Sequence, residues 1–246
     1  MHPSVLSADY FIVNNPIYVT LILLYYVICV CLFHIVKHDI VYTFKYPKQF
    51  LLVHNVISIF SNIYMFYGIL YETYTHNYRV LGNPLDTTHT ELTHYLWVFH
   101  LTKYYEIMDT VIMLLRKSFR QITFLHVYHH LSTIVYTWFI LYNHPGGDFY
   151  LGPLINSWVH IWMYTYYLLA SFMNKQSRFK YLWWSVYLTQ LQIFQFVINL
   201  SHSLYSILYS PYDTPLYKYG LYHQLSFIML FGHFYYKKHK KCNKII

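Results

Sequence analysis

Charged side chains are what this chain has least of: Asp, Glu, Lys and Arg make up 11% of its 246 residues, against 57% hydrophobic. A soluble domain carries about a quarter charged residues, so this composition excludes an ordinary water-soluble domain. Cysteine is also scarce, with Cys29 and Cys31 in the first apolar run and Cys242 in the basic tail. No CxxC pair or secreted disulfide framework can be drawn from them, and none sits in a polar cluster where a thiol nucleophile would belong. Lys and Arg are missing before the first apolar run, so the start does not read as a cleaved secretory signal. Fixed-period repeats and low-complexity tracts are absent too, and no separate soluble domain is visible.

What the chain has in abundance is aromatic and apolar. Aromatics reach 22%, with 31 Tyr, and Tyr and Trp favour membrane interfaces where one end stays wet. Runs long enough to cross a bilayer, ~20 residues each, fall near 17–36, 49–71, 94–115, 122–141, 150–172, 181–204 and 216–236. Lys37, Lys45, Lys48, Arg116, Lys117, Arg120, Lys175, Arg178, Lys180 and the tail Lys237, Lys238, Lys240, Lys241 and Lys244 all lie on alternate connections. The other connections hold Arg79, with Lys218 close to the start of the last run, and most of the acids: Asp9, Glu72, Asp86, Glu91, Asp148 and Asp213. By the positive-inside rule, the basic side is cytosolic. The expectation is an all-α integral membrane protein, a single seven-helix domain over 1–246. Its short N-terminus (1–16) is lumenal and its basic tail (237–246) cytosolic. The net charge of +8 then reflects cytosolic loops and attraction to anionic lipid; nucleic acid is not an expected partner.

Polar side chains interrupt four successive spans at helical spacing. His126, His129 and His130 share one face, with Thr133 and Thr137 extending it. Lys103, Glu106, Asp109 and Thr110 form a second stripe, Asn156, His160, Met163, Tyr164 and Tyr167 a third, and Gln192, Gln195 and Asn199 a fourth. Ionisable groups within a membrane segment mark a functional cavity by default. A buried ion-pair network or amide bridges that merely hold helices together would give the same spacing. His126 lies six residues past Arg120, ~9 Å along a helix axis. The stripes therefore converge between mid-membrane and the cytosolic face, below a mouth formed by Arg116, Lys117, Arg120, Lys175, Arg178 and Lys180. A basic mouth suits a phosphate-bearing substrate and an apolar shaft suits a lipid tail, a combination that describes a fatty acyl-CoA.

Three chemistries are open to such a chamber. Neutral imidazole is a competent nucleophile toward a thioester, and an acyl-imidazole can pass its acyl group on. H-x-x-H-H is also a ligand box of metal-dependent membrane desaturases and hydroxylases, but a full set needs several boxes. Here His34-x-x-x-His38 is the sole further mimic. A seven-helix receptor or transporter is the third class, although polar stripes at cytosolic depth do not suit a ligand arriving from outside.

Four stretches carry a family pattern in order: Lys103-Tyr-Tyr-Glu106-Ile107-Met-Asp109-Thr110, Phe124-Leu-His126-Val-Tyr-His129-His130, Asn156-Ser-Trp-Val-His160-Ile-Trp-Met163-Tyr164-Thr-Tyr166-Tyr167, and Thr189-Gln190-Leu-Gln192-Ile-Phe-Gln195-Phe196. Together they resemble the boxes of the ELO-type fatty acid elongases, the very-long-chain 3-oxoacyl-CoA synthases. Ile107, where that family usually has Phe, is the one departure. The resemblance covers about residues 15–240. It implies a multi-pass endoplasmic-reticulum acyltransferase whose helices 2–7 form a barrel around an acyl tunnel. The implied reaction condenses an acyl-CoA with malonyl-CoA to a 3-oxoacyl-CoA two carbons longer, CO2 and CoA, with no bound cofactor and no metal. By position, His129 is the implied nucleophile. His160 is placed opposite it on the malonyl-derived unit, oriented by Asn156. His126, His130, Lys103, Glu106, Asp109, Tyr164, Gln192 and Gln195 shape the site. Implied partners are the bilayer, both CoA substrates, the reductases and dehydratase of the cycle, and a second copy in a homodimer.

Overall fold

The computed structural model describes residues 9–10, 12–36, 48–85, 91–210 and 214–242. Lys37, His38, Lys45, Asp86, Asp213 and Lys244 lie outside the described residues. The helices are α1 (Pro16–Val36), α2 (Lys48–Thr75), α3 (Glu91–Tyr105), α4 (Met108–Leu115), α5 (Phe124–Asn143), α6 (Leu151–Phe172), α7 (Lys175–Tyr181), α8 (Ser185–Tyr209) and α9 (Thr214–Cys242). No strand occurs among the described residues.

α2 shows why such a chain folds without a water-facing polar surface. Phe50, Val53, Ile57, Phe60, Tyr64, Tyr67, Tyr71 and Tyr74 are all exposed and recur at alternating steps of three and four. The opposite face buries His54, Asn55, Ser58, Asn62 and Glu72. A surface helix of a soluble protein does the reverse. α2 is also the one helix among the described residues whose length and hydropathy suffice to cross a membrane; Pro16–Cys31 of α1 is a shorter apolar stretch. The Tyr, His and amide side chains of the other long helices lower their mean hydropathy.

Neighbouring helices close a ring: α2 on α3, α3 on α5, α5 on α9, α9 on α8, α8 on α6, and α6 back on α2. α1 stands outside it against α5, where Val19 packs beside Ile134. The ring is thus made of α2, α3, α5, α9, α8 and α6. The α2–α3 contact depends on Gly68, since a Cβ there would collide with the ring of Tyr95. At one end of the barrel lie Lys48, Arg116, Lys117, Arg120, Lys175, Arg178, Lys180, Lys237 and Lys240, and at the other Glu72, Glu91 and Asp148.

Two predicted spans need correction. The third (94–115) is not one helix, because α3 stops at Tyr105 and α4 restarts at Met108. Between them Ile107 N bonds Tyr104 O (3.1 Å), Asp109 N bonds Glu106 O (3.0 Å) and Thr110 N bonds Ile107 O (3.0 Å). These i to i−3 bonds tighten the turn locally to 3₁₀ geometry. The sixth span (181–204) begins later, at Ser185, after the separate short helix α7. There the Asn174 side chain caps α7 by accepting from Ser177 N (2.8 Å), and α7 ends at Tyr181.

A lid closes the Asp148 end. The buried Asp148 carboxylate accepts from Gly82 N (2.9 Å) on one oxygen, and from Asn83 N (2.7 Å) and Asn83 Nδ2 (2.7 Å) on the other. Thr93 Oγ1 donates to Pro145 O (2.7 Å) and holds the same turn to α3. Gly147 has φ +55°, and a Cβ on it would meet Asn83 O at 2.9 Å, so this turn needs glycine.

Candidate active site

The histidine face of α5 survives folding as the periodicity implies. Thr123 caps the helix, accepting from His126 N (3.3 Å), which sets the first turn just ahead of the histidines. Ring centroids of His126 and His130 lie 4.6 Å apart, those of His129 and His130 5.4 Å. His126 Nε2 shares a hydrogen bond with Thr110 Oγ1 (2.8 Å), whose oxygen also meets Tyr26 OH at 2.8 Å. The His129 ring packs on Phe227 of α9, centroids 5.1 Å apart.

Opposite stands a buried charged cluster. Lys103 Nζ donates to Glu106 Oε1 (2.7 Å) and to Asn156 Oδ1 (2.9 Å). His160 Nδ1 lies 3.2 Å from the same Glu106 oxygen. Asn156, expected to orient His160, is instead engaged by Lys103. Asp109 belongs to a separate group: His54 Nε2 is 2.9 Å from one of its oxygens, and Tyr164 OH donates to the other at 2.8 Å. Both carboxylates thus have partners on α2, α3 or α6.

Two cavities run through the ring. The outer one is lined by Glu106, Asp109, Arg120, His126, His129, His130, His160, Tyr164 and Gln192, among others. The inner one is lined by Lys103, His129, Thr133, Thr137, Asp148, Phe149, Asn156, Gln195 and Asn199, among others. Among the described residues, His129 alone lines both. His160 shares the outer cavity with it. The amide stripe of α8 divides between the two: Gln192 faces the outer space, donating to Met163 Sδ (3.6 Å), and Gln195 and Asn199 face the inner one.

Of the expected basic mouth, Arg120 lines the outer cavity. Arg116, Lys117, Lys175, Arg178 and Lys180 are exposed at the same end without lining it. Arg178 Nε donates to Met173 O (2.9 Å), and Lys180 Nζ sits 5.1 Å from the Tyr181 ring centroid. His34's partner in the possible second histidine box, His38, lies outside the described residues. Among those residues no group of three or more His, Cys, Asp or Glu gathers as metal ligands.

Several contributors were missed by sequence reasoning. His54 holds Asp109 from α2, and Tyr26 reaches Thr110 from α1. His100 Nδ1 pairs with Thr137 Oγ1 (2.7 Å), and its Nε2 with Tyr104 OH (3.1 Å). A hint for His54 exists in the sequence, where polar residues recur at 54, 55, 58 and 62 inside an apolar span. Tyr26 is one of 31 Tyr and carries no such signal.

The chain is similar to several curated proteins. These include "Fatty acid elongase 6" of Leishmania major, 33% identical over 208 residues, covering 78% of this chain and 53% of that protein. "Very long chain fatty acid elongase 2" of Mus musculus is 33% identical over 200 residues, covering 79% and 67%. "Very long chain fatty acid elongase 5" of Xenopus tropicalis is 34% identical over 200 residues, covering 79% and 66%. The matched part of the chain thus spans between about half and two thirds of the length of these relatives. The model of the ELO: GNS1/SUR4 family matches residues 11–245, a stretch that holds all four polar helices and both cavities, so this chain belongs to that family.

Proposed function

We propose that this protein is a fatty acid elongase that condenses an acyl-CoA with malonyl-CoA through a covalent acyl-imidazole on His129. The observation that carries this reading is the position of His129 as the one side chain, among the described residues, common to both cavities. An acyl chain laid in the inner cavity puts its thioester carbon at the junction, with the CoA portion extending through the outer cavity past Arg120. The His129 imidazole adds to that carbonyl, and the CoA thiolate leaves. Malonyl-CoA then enters the outer cavity and loses CO2. Its enolate carbon attacks the acyl carbon, imidazole departs, and a 3-oxoacyl-CoA two carbons longer is released.

His160, which lines the outer cavity with His129 and lies 3.2 Å from Glu106, is suited to act on the malonyl-derived unit through Nε2. The Glu106 carboxylate beside Nδ1 favours the proton on that nitrogen, which leaves Nε2 as the acceptor. His130 packs against the nucleophile, with His126 behind it, and limits its rotation. No metal or bound cofactor takes part. The inverted polarity of α2 and the gathering of basic residues at one end support a helical bundle set in a membrane; in this reading it has seven spans in the endoplasmic-reticulum membrane, with the basic end cytosolic and the N-terminus lumenal. The product then passes to the reductases and dehydratase of the cycle, and a homodimer is the expected assembly.

Purified protein given an acyl-CoA without malonyl-CoA should gain one acyl mass per chain. The adduct should vanish in His129→Ala and be discharged by malonyl-CoA. Turnover with no adduct at any rapid-quench time overturns the covalent route in favour of a ternary complex.

A further inference from the structure

The inner cavity has an unusual lining for a space meant to hold hydrocarbon. Two turns beyond His129, the face of α9 presents His223 and Gln224, each 6% exposed. Gln224 Nε2 lies 3.5 Å from His223 Nδ1. His223 Nε2 and Gln224 Oε1 are both buried and without a hydrogen-bond partner. Native proteins rarely leave such atoms unpaired, because each loses its water without gaining a bond.

The pairing between the two residues decides what they offer. With the amide N–H donating to His223 Nδ1, the imidazole proton sits on Nε2. The pair then exposes one donor, His223 Nε2–H, and one acceptor, Gln224 Oε1. Reversing the amide exchanges the two roles and leaves the same pair, one donor and one acceptor. A hydroxyl serves both at once, whereas a ketone or epoxide oxygen only accepts. Thr133 Oγ1, also buried and unpartnered, lines the same cavity between this pair and His129.

The level along the chain is set by α5. The His223 ring stacks on Tyr136, centroids 4.5 Å apart and planes at 20°. Tyr136 is seven residues past His129, about 10 Å along the axis. An acyl chain attached at His129 therefore passes His223 at mid-chain, well short of the Asp148 lid.

We propose that the inner cavity contains a hydroxyl subsite formed by His223 and Gln224, and that the preferred substrate is a mid-chain hydroxylated acyl-CoA. This rests on the reading that the inner cavity takes the acyl chain. The hydroxyl accepts from one residue and donates to the other, so a plain methylene at that level leaves both unpaired.

The test presents the full-length protein in detergent with malonyl-CoA and acyl-CoAs of equal length, one saturated and the others hydroxylated at successive carbons. One hydroxyl position should exceed the saturated chain in kcat/KM by about tenfold or more. The preference should collapse in Gln224→Leu and in His223→Phe, read as the ratio between the two substrates in each variant. A saturated chain preferred over every hydroxylated one in the unaltered protein overturns the subsite and leaves the elongase reading intact; that comparison needs no variant to fold. A hydroxyl preference that both variants retain in full also overturns it. Failure of all acyl-CoAs to turn over overturns the elongase reading and removes the subsite with it.

Discussion

Lys103 and Glu106 meet at 2.7 Å with side chains 2% and 4% exposed, so one ion pair is held almost wholly away from solvent. Neither charge is tolerable there alone. Lys103→Met should lower stability by about 3–5 kcal/mol, because it strands the Glu106 carboxylate. The double variant Lys103→Met/Glu106→Leu should regain much of that loss without regaining activity. Thermal melting in detergent beside turnover of acyl-CoA checks both halves. Equal melting of the single and double variants would deny the pair its energetic coupling.

Thr110 is shared by His126 and Tyr26, each at 2.8 Å. Thr110→Val keeps the shape and removes the hydroxyl, leaving two polar groups short of a partner at about 1–3 kcal/mol each. His126 should then loosen and kcat/KM fall about tenfold or more. Thr110→Ser should restore most of the rate. A valine variant with unchanged kinetics would remove His126 from the set of residues that shape the site.

Asp109 is held from two helices, by His54 at 2.9 Å and Tyr164 at 2.8 Å. Tyr164→Phe and His54→Phe should each reduce kcat/KM, by about fivefold to a hundredfold. Because both act through one carboxylate, the double variant should lose less than the product of the two effects. Fully independent losses in a double-mutant cycle would mean that the two residues act separately.

At the lid, Asp148→Asn sets an amide N–H₂ against donors that now meet a carboxylate. The loss should be about 1.5–3 kcal/mol, as for a hydrogen bond to a charged group. Gly147→Ala should lose about 1–2 kcal/mol from its left-handed backbone alone, and more from its contact with Asn83 O at 2.9 Å. Since Asp148 and Phe149 line the inner cavity, both variants should also shift products toward longer chains. Melting temperature and product chain length are the two readouts, and an unchanged length distribution would mean that the lid does not limit the chain.

The four polar stripes were legible because helical periodicity is local: residues three and four apart share a face whatever the rest of the chain does. His126, His129 and His130 needed nothing further to be grouped, and the same held for Gln192, Gln195 and Asn199 as one row. The break between α3 and α4 was not legible. Neither Pro nor Gly marks it, and the polar spacing through Glu106 and Asp109 fits an unbroken helix equally well. Likewise the six basic residues near one end were readable as a group, but whether each borders a cavity depends on where its own helix stops.

By itself the amino-acid sequence determined most of the helical runs, the faces that carry polar groups and the end that carries positive charge, since each follows from neighbours within a turn or two. Only the tertiary structure decided which face meets which. His54 finds Asp109 across 55 residues, Asn83 finds Asp148 across 65, and Tyr26 finds Thr110 across 84. Those pairings, and the division of one polar channel into two cavities at His129, depend on the order in which the helices close the ring. No local periodicity encodes that order.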